Sequence, residues 1–339
     1  MTVSTATLPL TRPPAHSVVY AALDLGTNNC RLLIARPASG GFRVLDAFSR
    51  IVRLGEGLAR SGELSEAAMD RTIAALAVCA QKVRARRVDH LRAVATEACR
   101  QAGNCGLFLD RVRAETGLEV ETISAAEEAR LVLAGCTPLL DPLAVRALLF
   151  DIGGGSTELL WVGLDGREPV MLGYSSLPMG VVTLADRYGG REVSPDLYCA
   201  MRDEAAAALE RFDDAHGISA WIGDGRMQML GSSGTVTTLA GVHLGLPRYN
   251  RGLVDGIVLD RTSVDAASRR LLDMDYAGRA AHPCIGPERA DLVLAGCAIL
   301  SAITERWPCP RLRVADRGVR EGILYGLMAR NGRRHRIAS

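Results

Sequence analysis

Two stretches of the chain repeat one alternation of apolar and polar positions. Residues 18–34 read VVYAALDLGTNNCRLLI and residues 145–161 read VRALLFDIGGGSTELLW. Each is an apolar run, then Asp-(Leu/Ile)-Gly, then a small polar turn, then a second apolar run. Asp24 matches Asp151, Gly26 matches Gly153 and Asn29 matches Ser156, 127 residues apart. The pattern predicts a strand–turn–strand unit in each half of the chain.

In the first half, strands are predicted at 18–24, 30–36 and 42–54. A helix capped by Ser65 follows through Arg86, with Met69, Ile73, Leu76, Ala77 and Ala80 on one face. Strands at Val88–Thr96 and Leu118–Ile123 flank a helix capped by Asn104 and running through Thr116, and Ala125–Cys136 reads as a helix. Thr137-Pro138 and Asp141-Pro142 mark a break. The pattern then restarts with strands at 145–151, 157–163 and 168–177, a helix near 180–188 and a longer one over Pro195–His216. Met227–Leu230 is a short strand running into GSSGT at 231–235, and Val236–Leu244 is helical. Pro287–Arg306 reads as an amphipathic helix with Pro287 and Glu288 in its first turn. Leu312–Ala315 is a strand and Gly318–Arg330 the last helix. Three strands followed by alternating helices and strands, twice over, predict duplicated α/β halves around a cleft.

Composition narrows the partners. The 339 residues suffice for two cores, and 48% hydrophobic with 23% charged is ordinary for a globular protein. A net charge of +2 gives no bulk attraction to nucleic acid or membrane, and no apolar run approaches the length of a bilayer span. Lys82 is the only lysine, so bound phosphates must be met by backbone N–H groups, Arg forks and metal. The nine cysteines are scattered without C-x-x-C spacing, as in a reduced cytosolic protein. Residues 1–17 read as a disordered tail and 331–339 as a short basic tail.

Asp151-Ile-Gly-Gly-Gly-Ser-Thr-Glu158 carries the sharpest chemistry. Three consecutive glycines have a conformational cost that an ordinary turn does not require; they permit close backbone approach to a ligand, with two hydroxyls and two carboxylates around them. In Gly26-Thr-Asn-Asn29 of the first half, Arg31 falls where Glu158 falls in the second. Gly231-Ser-Ser-Gly-Thr235 joins a strand to a helix, either as a plain cap or as an anion site at a helix N-terminus. Glu127-Glu128-Ala-Arg130 opens a helix, where acidic residues on their own most simply complement the dipole. Arg100, in Thr96-Glu-Ala-Cys-Arg100, is as well placed for a surface ion pair as for a cleft.

Together, DLGTNNCRLL, ATEACRQAGN, ISAAEEARL, LLFDIGGGSTELL, GSSGT, ERADLVLAG and VREGIL, in this order, resemble the Ppx/GppA family of exopolyphosphatases and guanosine pentaphosphate phosphohydrolases, within the actin-like, sugar kinase and Hsp70 superfamily. The resemblance spans roughly residues 18–330. It implies an α/β protein of two RNase H-like domains with an interdomain cleft. Domain I would cover 18–137, completed by the last helix at 316–330, and domain II 138–315. It implies Glu128 as general base, reversing the plainer reading of that residue. Asp151 and Glu158 would be catalytic, positioning Mg²⁺ and water. Phosphate contacts fall to Thr27, Asn28, Asn29, Arg31, Arg100, Gly153, Gly154, Gly155, Ser156, Ser232, Ser233, Gly234 and Thr235. Ala125 stands where many members have Gly, TNNC replaces the commoner SNSF, and Arg317 is an extra cation; none removes a proposed catalytic group. The additional helical domains of long members have no counterpart here, which implies weaker processivity on long polymer. The expected activity is release of the terminal phosphate of inorganic polyphosphate or pppGpp by a cytoplasmic enzyme, with a homodimer among the assemblies open to it. The alternatives are a superfamily kinase or ATPase, and a non-catalytic polyphosphate or nucleotide sensor.

Overall fold

The computed structural model describes residues 18–337 except 167 and 224, and leaves aside the side chains beyond Asn331. The segment 1–17, read above as a tail, lies outside the described residues.

The first half places β1 (Tyr20–Leu25), β2 (Asn29–Ala38) and β3 (Gly41–Ile51) ahead of a short α1 (Leu58–Ser61) and α2 (Glu66–Ala85). Then come β4 (His90–Ala95), α3 (Glu97–Gln101), α4 (Cys105–Thr116), β5 (Val120–Thr122) and α5 (Ala125–Cys136). The sheet order is β3-β2-β1-β4-β5, antiparallel in the opening meander and parallel from β1 to β4 and β5. Ser65 caps α2 as expected, its hydroxyl accepting from Ala68 N. Asn104 does not cap α4 with its side chain. That amide instead exchanges two 2.9 Å bonds with the backbone of Leu64 and ties two loops together.

The second half repeats the plan. It contains β6 (Arg146–Ile152), β7 (Thr157–Gly163), β8 (Val170–Leu177), α6 (Val181–Tyr188), α7 (Pro195–His216), β9 (Met227–Ser232) and α8 (Gly234–His243). After these come α9 (Arg251–Val254), β10 (Val258–Asp260), α10 (Arg261–Leu272), α11 (Tyr276–Ala281), α12 (Val293–Arg306), β11 (Arg311–Ala315) and α13 (Val319–Ile337). The order β8-β7-β6-β9-β11 matches the first sheet strand for strand, and β10 adds one edge.

Three features differ from the sequence reading. The helix expected over 287–306 begins at Val293, because residues 287–292 form turns that present Glu288, Arg289 and Asp291. It is buried on nearly all sides, from Val293 to Thr304, so it is core and neither amphipathic nor an interface. β9 runs on through Ser232, taking in the first two residues of GSSGT. The last helix continues to Ile337, so most of the stretch read as a basic tail has helical backbone.

Alternation along the strands sorts three cores. Ala21, Leu23 and Leu25 of β1 face α2 and α4; Leu148, Phe150 and Ile152 of β6 face the helices of the second half. The other faces, Tyr20 and Ala22 against Ala147 and Leu149, share a third core with α5 and α13. These helices pack on each other so closely that a Cβ on Gly322 would lie 2.0 Å from Leu131 O, and one on Gly135 2.2 Å from Gly318 O. Glycine is needed at that crossing for space. Polar residues that end the shared faces therefore meet where the two sheets and the two helices converge.

Candidate active site

Asp24 and Asp151 are the penultimate residues of β1 and β6, and by alternation both lie on the shared faces. Register places Asp24 beside Arg31, and Asp151 beside Glu158 on one neighbour and Ser232 on the other. The two turns are built alike. Gly26 N donates to Asn29 O at 2.9 Å and Gly153 N to Ser156 O at 2.8 Å. The repeated sequence is thus a repeated hairpin, with an Asp–Arg pair at the base of one and an Asp–Glu pair at the base of the other.

The glycines of the second turn allow a further closeness, within the protein itself. A Cβ on Gly154 would lie 3.0 Å from Asn28 N, one on Gly155 2.6 Å from Thr27 Oγ1, and one on Gly180 2.4 Å from the Gly154 backbone. The two hairpin turns touch, and the glycines let them. Across this contact Asn28 and Asn29 each hold a buried Oδ1 with no hydrogen-bond partner. Buried polar atoms are rarely left so. Turning either amide presents an NH₂ donor at the same place, which suits a phosphate oxygen.

Glu128 lies in the first turn of α5, whose N-cap Ser124 accepts from Glu127 N. Its carboxylate is buried and accepts a 2.7 Å bond from Arg100 Nη1. Arg100 also donates to Ile123 O and twice to Glu97 Oε2. These four bonds use four of its five N–H groups. Arg100 is therefore turned onto Glu128 and Glu97, and its geometry is that of a positioning residue for Glu128 more than of a phosphate ligand. The surface ion pair considered in the sequence is a half-buried one.

In the second turn Ser156 Oγ donates to Glu158 Oε1 at 2.6 Å, and Ser176 Oγ does so at 3.0 Å. Both hydroxyls orient the carboxylate. In the third loop Ser232 Oγ donates to Arg317 O, and Ser233 Oγ accepts from Thr235 N and Val236 N. Thr235 packs on α12 at Gly296. The side chains of 232–235 thus hold the loop, which leaves the backbone N–H groups that this cap does not take as the donors open to an anion. Ser233 has φ of +125°, a strained value for a residue with a Cβ, at this strand–helix junction.

Three site residues escaped the sequence reading. The sequence pattern matches Asp24 to Asp151 and gives it no role of its own. Arg289 reaches to 4.0 Å from a Cβ built on Gly234, and Arg320 lies half-buried at the start of α13, near Glu321, Arg31 and Asp24. ERADLVLAG and VREGIL contain these two arginines. Burial, with Arg31 nearby, lowers the pKa of Arg289; burial lowers that of Arg320, with Glu321 opposing and Arg31 adding to the fall. Arg31 acts on both of the other guanidiniums, and Asp24 and Glu321 beside Arg320 offset part of that positive charge.

The carboxylates show the opposite strain. Burial pushes Asp151 up to about 6, opposed by Arg31 and reinforced by Asp24. Burial, then the neighbouring Asp151, takes Glu158 to about 7 against its two hydroxyl bonds. Burial, then Glu158, raises Glu128 well above the usual carboxylate range although Arg100 pulls it down. Among the described residues no three His, Cys, Asp or Glu side chains form a metal cage. A Mg²⁺ held by one or two carboxylates, substrate phosphate and water needs none. Asp151 and Glu158, hard oxygen donors paired across one hairpin, fit that mode.

A linkage follows from these shifts. The folded protein holds protons on Asp151 and Glu158 that the unfolded chain releases near pH 4. Their contribution to stability is full below that pH and is lost as pH rises through about 6 and 7. In chelator, Asp151→Asn with Glu158→Gln should be more stable than wild type at pH 8, by on the order of 1–3 kcal/mol per site, with the gap closing toward pH 5. Denaturant melts across that range check it; a gap independent of pH contradicts it.

The sequence pattern of the Ppx/GppA phosphatase family matches residues 33–331. A guanosine-5'-triphosphate,3'-diphosphate pyrophosphatase of Aeromonas salmonicida is 31% identical over 317 residues, which are 93% of this chain; the chain spans 60% of that relative's length. The crystal structure of the Aquifex aeolicus Ppx/GppA family member superimposes with a TM-score of 0.73 at 28% identity, covering 93% of this chain and 98% of its own. An exopolyphosphatase from Cytophaga hutchinsonii gives a TM-score of 0.82 at 25% identity, covering 92% and 98%. No described helix is long and apolar enough to cross a membrane. Two duplicated α/β halves, a cleft of paired hairpins and this match over nearly the whole chain agree: the protein belongs to the Ppx/GppA phosphatase family.

Proposed function

We propose that the chain is a phosphoanhydride hydrolase that releases the terminal phosphate of inorganic polyphosphate or pppGpp in the cytoplasm. The observation that carries this reading is the buried Glu128, fixed by Arg100, beside Asp24 and Glu158 where both hairpins end. A carboxylate held there with a raised pKa suits a general base that takes a proton from water near neutral pH.

In this reading the terminal phosphate lies against the joined hairpin turns, beside Glu128. Asn28, Asn29 and the backbone of 153–156 and 233–234 meet its oxygens, with Arg31, Arg289 and Arg320 facing the next phosphates. Fixed N–H groups and guanidiniums oppose the charge that moves to the leaving phosphate, where such preorganised dipoles are most effective. Asp151 and Glu158 would hold Mg²⁺, which supplies charge neutralisation on the phosphate when bound. Glu128 accepts the proton of the attacking water, and Arg100 keeps its carboxylate aimed.

The test is phosphate release from polyphosphate of graded lengths, pppGpp and ATP, side by side. Release from the first two and little from ATP is expected. Transfer to an acceptor, or release from ATP alone, indicates a kinase or ATPase; binding without release indicates a sensor.

A further inference from the structure

The segment after β3 belongs to neither hairpin, yet it touches both walls of the cleft. Val52 N and Arg53 N donate to Asn28 O at 2.9 and 3.1 Å, and Gly55 N donates to Thr27 O at 2.9 Å. These bonds hold the backbone of the first turn from behind. The Arg53 side chain crosses to the second half. Its Nη1 and Nη2 fork onto both oxygens of Asp291 at 2.8 and 2.9 Å, and Nη2 also donates to Glu288 O at 3.1 Å. Glu288 and Asp291 bracket Arg289 in the turn at 287–292. Gly57 N adds a 3.1 Å bond to Asp186 Oδ2 on α6.

Arg53 adopts φ of +48°, unusual for a residue with a Cβ. Such backbone persists only where its surroundings over-determine it. Here the left-handed turn accompanies two backbone bonds to Asn28 and a bidentate fork to Asp291. Isolated exposed ion pairs contribute little. This pair is planar and two-pronged, and both side chains are largely covered, 28% and 20% exposed.

We propose that Arg53 is a positioning residue that braces the cleft, setting the Thr27–Asn28 turn of one half against the Arg289 turn of the other. Its kinetic consequence rests on the hydrolase reading above; its structural consequence does not. With the brace intact the closed arrangement is populated before substrate arrives. Without it, binding must supply the closure, and apparent affinity falls by the fraction closed.

Arg53→Asn, whose residue tolerates left-handed backbone, should raise KM for a polyphosphate of defined length about tenfold while kcat stays within about threefold. Asp291→Asn should do the same. The exchange Arg53→Asp with Asp291→Arg should recover KM toward wild type; a cavity of about 150 Å³ lined by Arg53, Glu56, Asp186, Arg191 and Asp291 gives the exchanged side chains room. A fall in kcat at unchanged KM, as from lost folded enzyme, overturns the proposal, as does a double variant no better than the sum of the singles. Amide hydrogen exchange provides a readout free of turnover. Arg53→Asn should speed exchange both at 26–29 and at 286–292, and unchanged exchange in either segment overturns the brace. Failure of the wild type to release phosphate would count against the hydrolase reading alone, with exchange still deciding the brace.

Discussion

Glu128→Gln should lower kcat by about 10²–10⁴ while leaving substrate binding within a few fold, the loss expected when a general base is removed. Gln fills the same space and can still meet Arg100 through its amide oxygen, so α5 and the Glu97–Arg100 pair should stand. It cannot accept the proton of water. Equilibrium binding of polyphosphate, measured beside single-turnover phosphate release, separates the two effects. Binding should not weaken, because Glu128 is an acid among anions and its charge repels substrate as much as it helps the chemistry. Near-normal turnover in this variant would remove Glu128 from the reaction and pass the water to another carboxylate of the cleft, Glu158 first.

The second large effect falls on Asp151. Asp151→Asn keeps the shape of the penultimate residue of β6, which lies beside both Glu158 and Ser232. It removes one of the two charges paired across the hairpin. The expected result is loss of most Mg²⁺ activation, with kcat/KM down on the order of 10²-fold or more at saturating metal. Because the Asp151 charge that adds to burial in raising Glu158 also disappears, Glu158 should ionise at lower pH, and the residual activity should set in earlier on the acid side. A Mg²⁺ titration at two pH values reads both. Unchanged activation by Mg²⁺ would mean the metal is held elsewhere.

Legibility in the sequence followed the locality of the physics. The paired hairpins were visible because each is a short contiguous alternation, and the 127-residue offset survives as identical Gly–Asn and Gly–Ser turn bonds. α5 was legible to the residue because Ser124 caps it and its apolar positions recur at helical spacing. α10 was missed although Asp260 caps it, accepting from Ser263 N at 2.7 Å; its sparse apolar positions gave a weak period. Long-range pairing was not legible. Nothing local in ATEACR says that Arg100 spends four N–H groups on Glu97, Ile123 and Glu128, and nothing in VRLGEG says that Arg53 reaches a turn 238 residues away. Pro287 and Glu288 have the grammar of a helix start, but the fork from Arg53 and the cleft-facing Arg289 occupy that turn. The three glycines were read for ligand approach; they also allow the approach of one hairpin to the other.

The most direct test of water attack on a terminal phosphate in this cleft is hydrolysis of polyphosphate in ¹⁸O-water with Mg²⁺. Each released orthophosphate should carry one solvent oxygen, and incorporation should disappear with turnover in Glu128→Gln. Release without solvent oxygen, or phosphate recovered on another acceptor, would contradict the account.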